Sequence, residues 1–223
     1  MGRPDLVIAG YAHTDQVRRM AGDLTSRWSR LDVLVNNAGT YQKNRHLTKE
    51  GIEMTFAVNY LGPFLLTNLL LPILRKSPEA RIVTVASSAH LDVDRIDWEN
   101  LPTEPLYDPW GAYSLSKFAD VVFTYSLARL LIGSNVTANC LYPGVVDTKL
   151  SRAAAPGIST ITPEEGAQTS IWLASSPEAA DISGKYFENR KPARSSALSH
   201  DRNVQDRLWK MAEELTGMKD HTL

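Results

Sequence analysis

The 223 residues contain one cysteine, Cys140, which excludes an internal disulfide framework and any zinc site built from cysteine clusters. Charge of one sign is not in excess either: 24 Lys and Arg stand against 25 Asp and Glu, a net charge of -1. No broad basic field exists to draw in nucleic acid or an anionic membrane surface, and neither partner is expected. The opening Met1-Gly2-Arg3-Pro4-Asp5 carries no signal-peptide pattern, and Leu6 stands where an N-myristoylation signal wants Ser or Thr. Long hydrophobic runs are also missing. Leu61 to Leu74 is interrupted by Gly62, Pro63, Thr67, Asn68 and Pro72, too short and too polar to span a bilayer. Five histidines, at 13, 46, 90, 200 and 221, show no ligand spacing, so no metal is expected. With no repeat, low-complexity tract or Gly/Ser linker, the chain reads as one cytoplasmic domain over residues 1–223.

What is present is an alternation of short apolar runs and longer amphipathic segments, the signature of parallel strands joined by helices. Strands are expected at Leu6 to Ala9, Asp32 to Val35, Arg81 to Val85, Val136 to Tyr142 and, weakly, Lys185 to Phe187. Helices are expected at Thr14 to Trp28, Glu53 to Arg75, Ala112 to Leu131, Pro163 to Ala174 and Val204 to Leu215. The strands are Val, Ile and Leu-rich without alternation, as when both faces are covered, so the fold class is α/β, doubly wound. Two long loops, His90 to Trp110 and Val146 to Thr162, leave the C-terminal ends of strands, where open α/β sheets bind ligands.

Five features fall in order along this scaffold. Asn36-Asn37-Ala38-Gly39 closes a strand, and Asn59 sits in the next helix. Ser87-Ser88 ends a strand, and Tyr113-Ser114-Leu115-Ser116-Lys117 begins a helix. Finally Tyr142-Pro143-Gly144-Val145-Val146-Asp147-Thr148 leaves the fourth strand. Tyr113 and Lys117 are one helical turn apart and share a face. A nearby ammonium favours phenolate, which makes a tyrosine a usable proton donor and acceptor.

In this order the motifs resemble the short-chain dehydrogenase/reductase family. The resemblance covers nearly the whole chain from about Asp15. It implies Tyr113 as acid/base, Ser87 on the substrate oxygen, Lys117 on the nicotinamide ribose and Asn59 holding a water. It implies cofactor contacts at Asn37, Ala38, Gly39, Tyr113, Lys117, Pro143, Gly144, Val146 and Thr148. Val85-Ala86-Ser87-Ser88-Ala89-His90, the wide gap to Tyr113, Ala167-Gln168-Thr169-Ser170 and Arg207-Leu208-Trp209 are similar to the retinol-dehydrogenase-like branch. That branch favours Ser87 over Ser88 as the catalytic serine, and NADP slightly over NAD. The family pairs its two long helices, here 53–75 and 112–131, into homodimers or homotetramers.

One family feature is absent from these residues: no Gly-x-x-x-Gly-x-Gly or Gly-x-Gly-x-x-Gly lies near the start. Asn-Asn-Ala-Gly arrives at residue 36, as if two β-α units, roughly 50 to 60 residues, were absent. The strand Leu6 to Ala9 would then lack its usual neighbour and is expected either to move beside Asp32 to Val35 or to be covered by association. The expected activity is hydride transfer between a nicotinamide cofactor and a carbonyl or secondary alcohol on a small apolar substrate. Two other readings stand beside it: redox-free acid–base chemistry (dehydration, isomerisation or cyclisation) at the same site, and a non-catalytic subunit. Blander roles are Asn36 and Asn37 as turn caps, Cys140 as inert core, and Arg190 to Arg194 as solvated surface. His90 is open to a substrate contact, and Trp98 and Trp110 either line a pocket or anchor their loop.

Overall fold

The computed structural model describes residues 5–98 and 107–218. Helix α1 (Thr14–Arg27) leads into strand β1 (Val33–Asn36), and the long helix α2 (Met54–Leu74) follows. Strand β2 (Ala80–Val85) ends in a 3₁₀ turn, Ser88–Asp92, and helix α3 is Pro109–Leu130. Strand β3 (Val136–Tyr142) precedes a short α4 (Lys149–Ala154) and α5 (Pro163–Ser175). The chain closes with β4 (Tyr186–Glu188), β5 (Lys191–Pro192) and α6 (Arg202–Thr216).

The sheet runs β1-β2-β3-β4-β5, with β1 to β4 mutually parallel and β5 antiparallel to β4. The register places Asn36 beside Thr84 and Val85 beside Leu141, so the strands end in line at one edge of the molecule. Side chains alternate between two covers. Ile82, Val136 and Ala138 face a core built from α1, α2 and α3, while Val83, Leu141 and Phe187 face Leu173 of α5 and Ala179. Arg81 ties the second cover down by donating to the carbonyls of Leu173 and Ser176 at the end of α5 (3.2 and 2.7 Å), where carbonyls lack helical partners.

Both long helices carry apolar residues around most of their circumference for an internal reason. Helix α1 packs along α2, and α6 lays Trp209 against Phe64 of α2 and Phe123 of α3 (centroids 4.9 and 5.8 Å). The apolar breadth read as a pairing surface for helices 53–75 and 112–131 is thus largely taken up within the chain. Met54–Leu74 is, by length and composition, long enough to cross a bilayer, yet 83% of its most apolar window is buried inside the protein. Continuity through the interruptions at Gly62 and Pro63 makes it longer than the run Leu61 to Leu74 suggests.

Two expectations are corrected. Leu6 to Ala9 forms no strand: Leu6 and Ile8 are 80% and 88% exposed, and the segment neither pairs with β1 nor lies in the sheet. An apolar run becomes a strand only where a neighbour can take its backbone groups, and here the chain bends at Gly10 instead, with His13 N–H donating to the Gly10 carbonyl (3.0 Å). Among the described residues β1 is therefore an edge strand, with Val35 41% exposed. The loop Val146 to Thr162 contains helix α4, started by Thr148 and Ser151, which cap each other reciprocally. The basic stretch Arg190 to Arg194 is solvent-exposed as expected, and it begins a tight β4–β5 hairpin with Asn189 and Arg190 both at positive φ (48° and 61°). Of the loop His90 to Trp110, residues 99–106 lie outside the described residues; Trp98 is anchored under the Arg207 guanidinium, 4.3 Å from its ring centroid.

Candidate active site

The predicted residues come together at the C-terminal ends of β1, β2 and β3. Beyond β1, Asn37, Ala38 and Gly39 form an exposed loop, while Asn36 is buried and donates to Thr67 (3.0 Å) as a structural tie. Asn36 thus ties β1 to helix α2 rather than capping a turn, and Asn37 stays open to solvent.

Asn59 is positioned by a π turn, Ala57–Leu61, inside α2. Such a turn carries one extra residue and re-aims a side chain, and it is frequent at functional sites. The buried Asn59 carboxamide accepts from Thr40 N–H (2.7 Å) and donates to the Thr40 carbonyl (3.1 Å) and Ser116 Oγ (2.9 Å). Ser116 in turn donates to the Tyr113 carbonyl (2.7 Å). The loop after β1 is thereby fixed to the helix that bears Tyr113 and Lys117. A methyl group on Gly39 would stand 3.6 Å from Asn59 Oδ1 and 3.8 Å from Lys117 Nζ.

Lys117 is buried, its ammonium donating to the Val85 carbonyl at the end of β2 (2.8 Å) and to Asp120 Oδ2 (3.0 Å). Burial works against its charge, and the negative charges of Asp120 and Tyr113 more than offset it, so its pKa lies above the ordinary lysine value. Tyr113 is flanked by two rings, Tyr41 edge-on and Trp110 tilted, each 5.8 Å away between centroids. Trp110 is held by its indole N–H on Asp92 (2.9 Å). Of the two tryptophans left open by the sequence, Trp110 borders the site and Trp98 anchors the loop against α6.

Ser87 ends the extended stretch after β2, and its hydroxyl accepts from Ala89 N–H (3.2 Å) while its own proton stays available to donate. The Ser87 carbonyl receives His90 Nδ1 at 2.6 Å, and His90 Nε2 accepts from Ser196 N–H (3.3 Å). A carbonyl can only accept and an amide N–H only donate, so His90 is the neutral tautomer protonated at Nδ1. His90 is fully buried against Tyr186, which rules out the substrate contact left open for it. Its burial lowers its pKa below the ordinary histidine value, with Ser87, Glu188 and Asp92 opposing.

Pro143 and Gly144 turn the chain out of β3, with Gly144 at φ 91°. Beyond them Val146 pairs with Ile161, and the capping group of α4 is the Thr148 side chain itself. The predicted residues thus lie at one end of the sheet, where Lys117, Asn59 and Leu150 of α4 all stand beside Gly39. Sequence reasoning did not find Asp120, Tyr41 or Ser116. For Asp120 a signal existed, since an acid three residues after Lys117 interrupts an otherwise apolar run from Phe118 to Phe123. Cys140 is fully buried, and burial raises its pKa, as expected of an inert core thiol.

The residues suit one end of a dinucleotide. An exposed loop backbone at Asn37–Gly39, the buried ammonium beside Gly39 and the Pro143-Gly144 turn fit a ribose and a flat ring. No glycine-rich turn for a pyrophosphate lies among the described residues.

Residues 11–188 match a family model described as enoyl-(acyl carrier protein) reductase. Human retinol dehydrogenase 14 is 42% identical over 214 residues, covering 91% of this chain and 63% of that protein. Human polyprenol dehydrogenase is 41% identical over 209 residues (86% and 63%), and human retinol dehydrogenase 13 is 38% identical over 226 (93% and 67%). The chain thus spans a little under two thirds of the length of the first two. Among solved structures, one from Mycobacterium paratuberculosis superposes with TM-score 0.76 at 34% identity, covering 94% of this chain and 74% of that one. The Pseudomonas aeruginosa RhlG/NADP active-site complex gives 0.64 at 25% identity, covering 81% and 73%. With the sheet order, the order of its motifs and these likenesses in agreement, the chain belongs to the short-chain dehydrogenase/reductase family, in its retinol dehydrogenase branch.

Proposed function

We propose that this chain is an oxidoreductase that interconverts an apolar alcohol and its carbonyl compound with a nicotinamide dinucleotide, NADP in preference to NAD. The observation that carries the reading is the tie through Asn59. It ties the loop that follows Gly39 to the helix of Tyr113 and Lys117, so that cofactor loop and acid–base pair are held together. A bound nicotinamide supplies or takes up the hydride; Asn37, Ala38, Gly39, Pro143, Gly144, Val146 and Thr148 would hold it, with Lys117 on its ribose.

The chain's own residues handle the proton. When a carbonyl is reduced, the Tyr113 phenol gives its proton to the nascent alkoxide, and in alcohol oxidation the phenolate takes it back. Lys117 stabilises that phenolate by charge. The Ser87 hydroxyl donates to the same substrate oxygen, which fixes the carbonyl relative to Tyr113. Asn59 holds the frame, because its carboxamide is already committed to Thr40 and Ser116. Support for an apolar substrate comes from the Tyr41 and Trp110 rings beside Tyr113, and from the retinol and polyprenol named for two relatives.

The test is calorimetric titration of the chain with NADPH and NADH, then reduction of apolar aldehydes followed by nicotinamide absorbance. Tyr113→Phe should lower kcat by about 10²- to 10⁴-fold with cofactor binding retained. No binding at millimolar cofactor would overturn the reading. Activity that needs Tyr113 but no nicotinamide would replace it with acid–base chemistry alone.

A further inference from the structure

We propose that Asp120 is a positioning residue of this site, anchoring the Lys117 ammonium against the end of β2 and thereby setting the pH at which Tyr113 exchanges its proton. The proposal rests on the acid–base reading of Tyr113 given above.

The geometry comes first. Asp120 lies three residues beyond Lys117 and seven beyond Tyr113, so all three line one side of α3. Lys117 Nζ reaches Asp120 Oδ2 at 3.0 Å with the two side chains 5% and 1% exposed. The ammonium has three N–H groups. Val85 and Asp120 take two of them, and the nitrogen lies close to Gly39 at the predicted cofactor loop.

Asp120 is an unlikely residue for packing reasons alone. Its neighbours Phe118, Ala119, Val121, Val122 and Phe123 are all core, and its Oδ1 is buried without a hydrogen-bond partner among the described residues. Desolvating a carboxylate is costly, and an apolar side chain of like volume is often as stable or more so. A buried acid with one oxygen left unpaired is better explained by the charge it presents to Lys117.

Among the described residues, the groups that face it do not take that role. Facing Asp120 from the π turn of α2 is Tyr60 and from β3 is Cys140, and burial raises the pKa of each, so both stay neutral. From its own helix come Lys117 and Thr124, whose hydroxyl donates to the Asp120 carbonyl. Burial also pushes the Asp120 carboxyl up to about 6 against the pull of Lys117. Above that pH the pair is neutral in sum, and Lys117 stabilises the Tyr113 phenolate less than a bare ammonium would. Removing the negative charge uncovers the ammonium and makes Tyr113 a stronger acid.

The experiment is Asp120→Asn, which keeps shape and an acceptor oxygen but no charge. In alcohol oxidation, which needs the phenolate, the acid limb of the kcat/KM profile should move about one unit to lower pH, for a charge roughly 10 Å away. Asp120→Glu should bring it back. A purely structural role would lower activity equally at every pH and leave the limb in place, which overturns the proposal. Direct titration of Tyr113 by ¹³Cζ-tyrosine NMR, assigned with Tyr113→Phe, needs neither substrate nor cofactor. The same shift there without turnover would sink the oxidoreductase reading and keep the Asp120 role. Equal Tyr113 titration in both proteins would sink the Asp120 role whatever the activity. Should Asp120→Asn not fold, Lys117→Met read by ¹³Cγ-aspartate NMR replaces it. Asp120 must then titrate higher than in the unmodified chain, and an unmoved Asp120 refutes the coupling.

Discussion

Asn59 takes both backbone groups of Thr40 at once, accepting from its N–H at 2.7 Å and donating to its carbonyl at 3.1 Å. A carboxamide used this way acts like a neighbouring strand, with a donor and an acceptor side by side, and it leaves a second N–H for Ser116. Asn59→Ala removes three hydrogen bonds, two to the half-buried Thr40 backbone and one to the buried Ser116. At about 1 kcal/mol each, it should cost about 3 kcal/mol in urea unfolding. Cofactor binding should weaken with it, since the loop Asn37–Gly39 loses its tether. Asn59→Asp keeps an acceptor for Thr40 N–H, loses both donors, and should be no better than Ala. An unchanged unfolding midpoint in either variant would contradict the clamp.

His90 joins the serine turn to the C-terminal segment, and its proton count gives this link a pH signature. Held below the ordinary histidine pKa by burial, the folded imidazole stays neutral where an unfolded one charges. The unfolded state therefore binds the extra proton, and His90 costs stability as pH falls below about 6.5. Asp120, raised to about 6, works in the opposite sense between about 6 and 4, with the folded chain binding the proton first. The comparison with His90→Phe separates the two, because Asp120 is common to both proteins. At pH 7.5 the variant should be less stable by about 2 kcal/mol for two lost hydrogen bonds. At pH 5.5 that gap should narrow by about 1 kcal/mol. A gap of constant size across that range would mean that His90 titrates alike in the folded and unfolded protein, and a gap that widened towards low pH would mean that the folded protein favours its charged form.

The fold was legible wherever burial and pairing coincide. Strand β3 occupies the run Val136–Tyr142 because that stretch is largely buried on both faces and has neighbours on both sides. Leu6 to Ala9 reads the same way locally, yet its fate depends on a partner that no local pattern reports. Strand β5 escaped notice because two residues including Pro192 carry no strand signal; its existence follows from the hairpin at Asn189 and Arg190. At the site, motif order gave the residue types and their rim. It did not give the use of each side chain: that Asn59 is spent on Thr40, that His90 faces inward, or that Lys117 is held by an acid. The first two need the third dimension, since residues 19 and 106 positions apart meet there, whereas Lys117 and Asp120 are three apart on one helix and their pairing could have been read from the acid in an apolar run.

Val146 and Gly166 meet where the loop after β3 crosses the first turn of α5. A methyl group on Gly166 would overlap the Val146 side chain, so Gly166→Ala must push Val146 and its bridge to Ile161 outward. Overpacking of this kind costs about 1 to 3 kcal/mol. Because Val146 is in the proposed cofactor rim, binding should weaken as well. Adding Val146→Ala to Gly166→Ala should restore most of the lost stability, since the second change removes the atoms the first collides with. The double-mutant cycle should therefore show a coupling of at least 1 kcal/mol. Simple additivity would place the strain elsewhere.

Trp110 offers a reading of the substrate wall independent of proton transfer. Its ring lies 5.8 Å from Tyr113 between centroids, it is partly exposed, and Asp92 fixes its indole N–H. A ring so held gives apolar contact to a substrate seated on Tyr113 without taking part in bond making. Trp110→Ala should therefore raise KM for an apolar alcohol about tenfold, the equivalent of about 1.4 kcal/mol of lost burial, and leave kcat within about twofold. Trp110→Phe keeps most of the apolar face and should lie near the original protein. Asp92→Asn, which keeps an acceptor for the indole, should change neither constant by more than twofold. A short polar aldehyde serves as the control, because it cannot reach the ring and its KM should not respond to Trp110→Ala. Equal loss for polar and apolar substrates would show that Trp110 supports Tyr113 itself rather than the substrate.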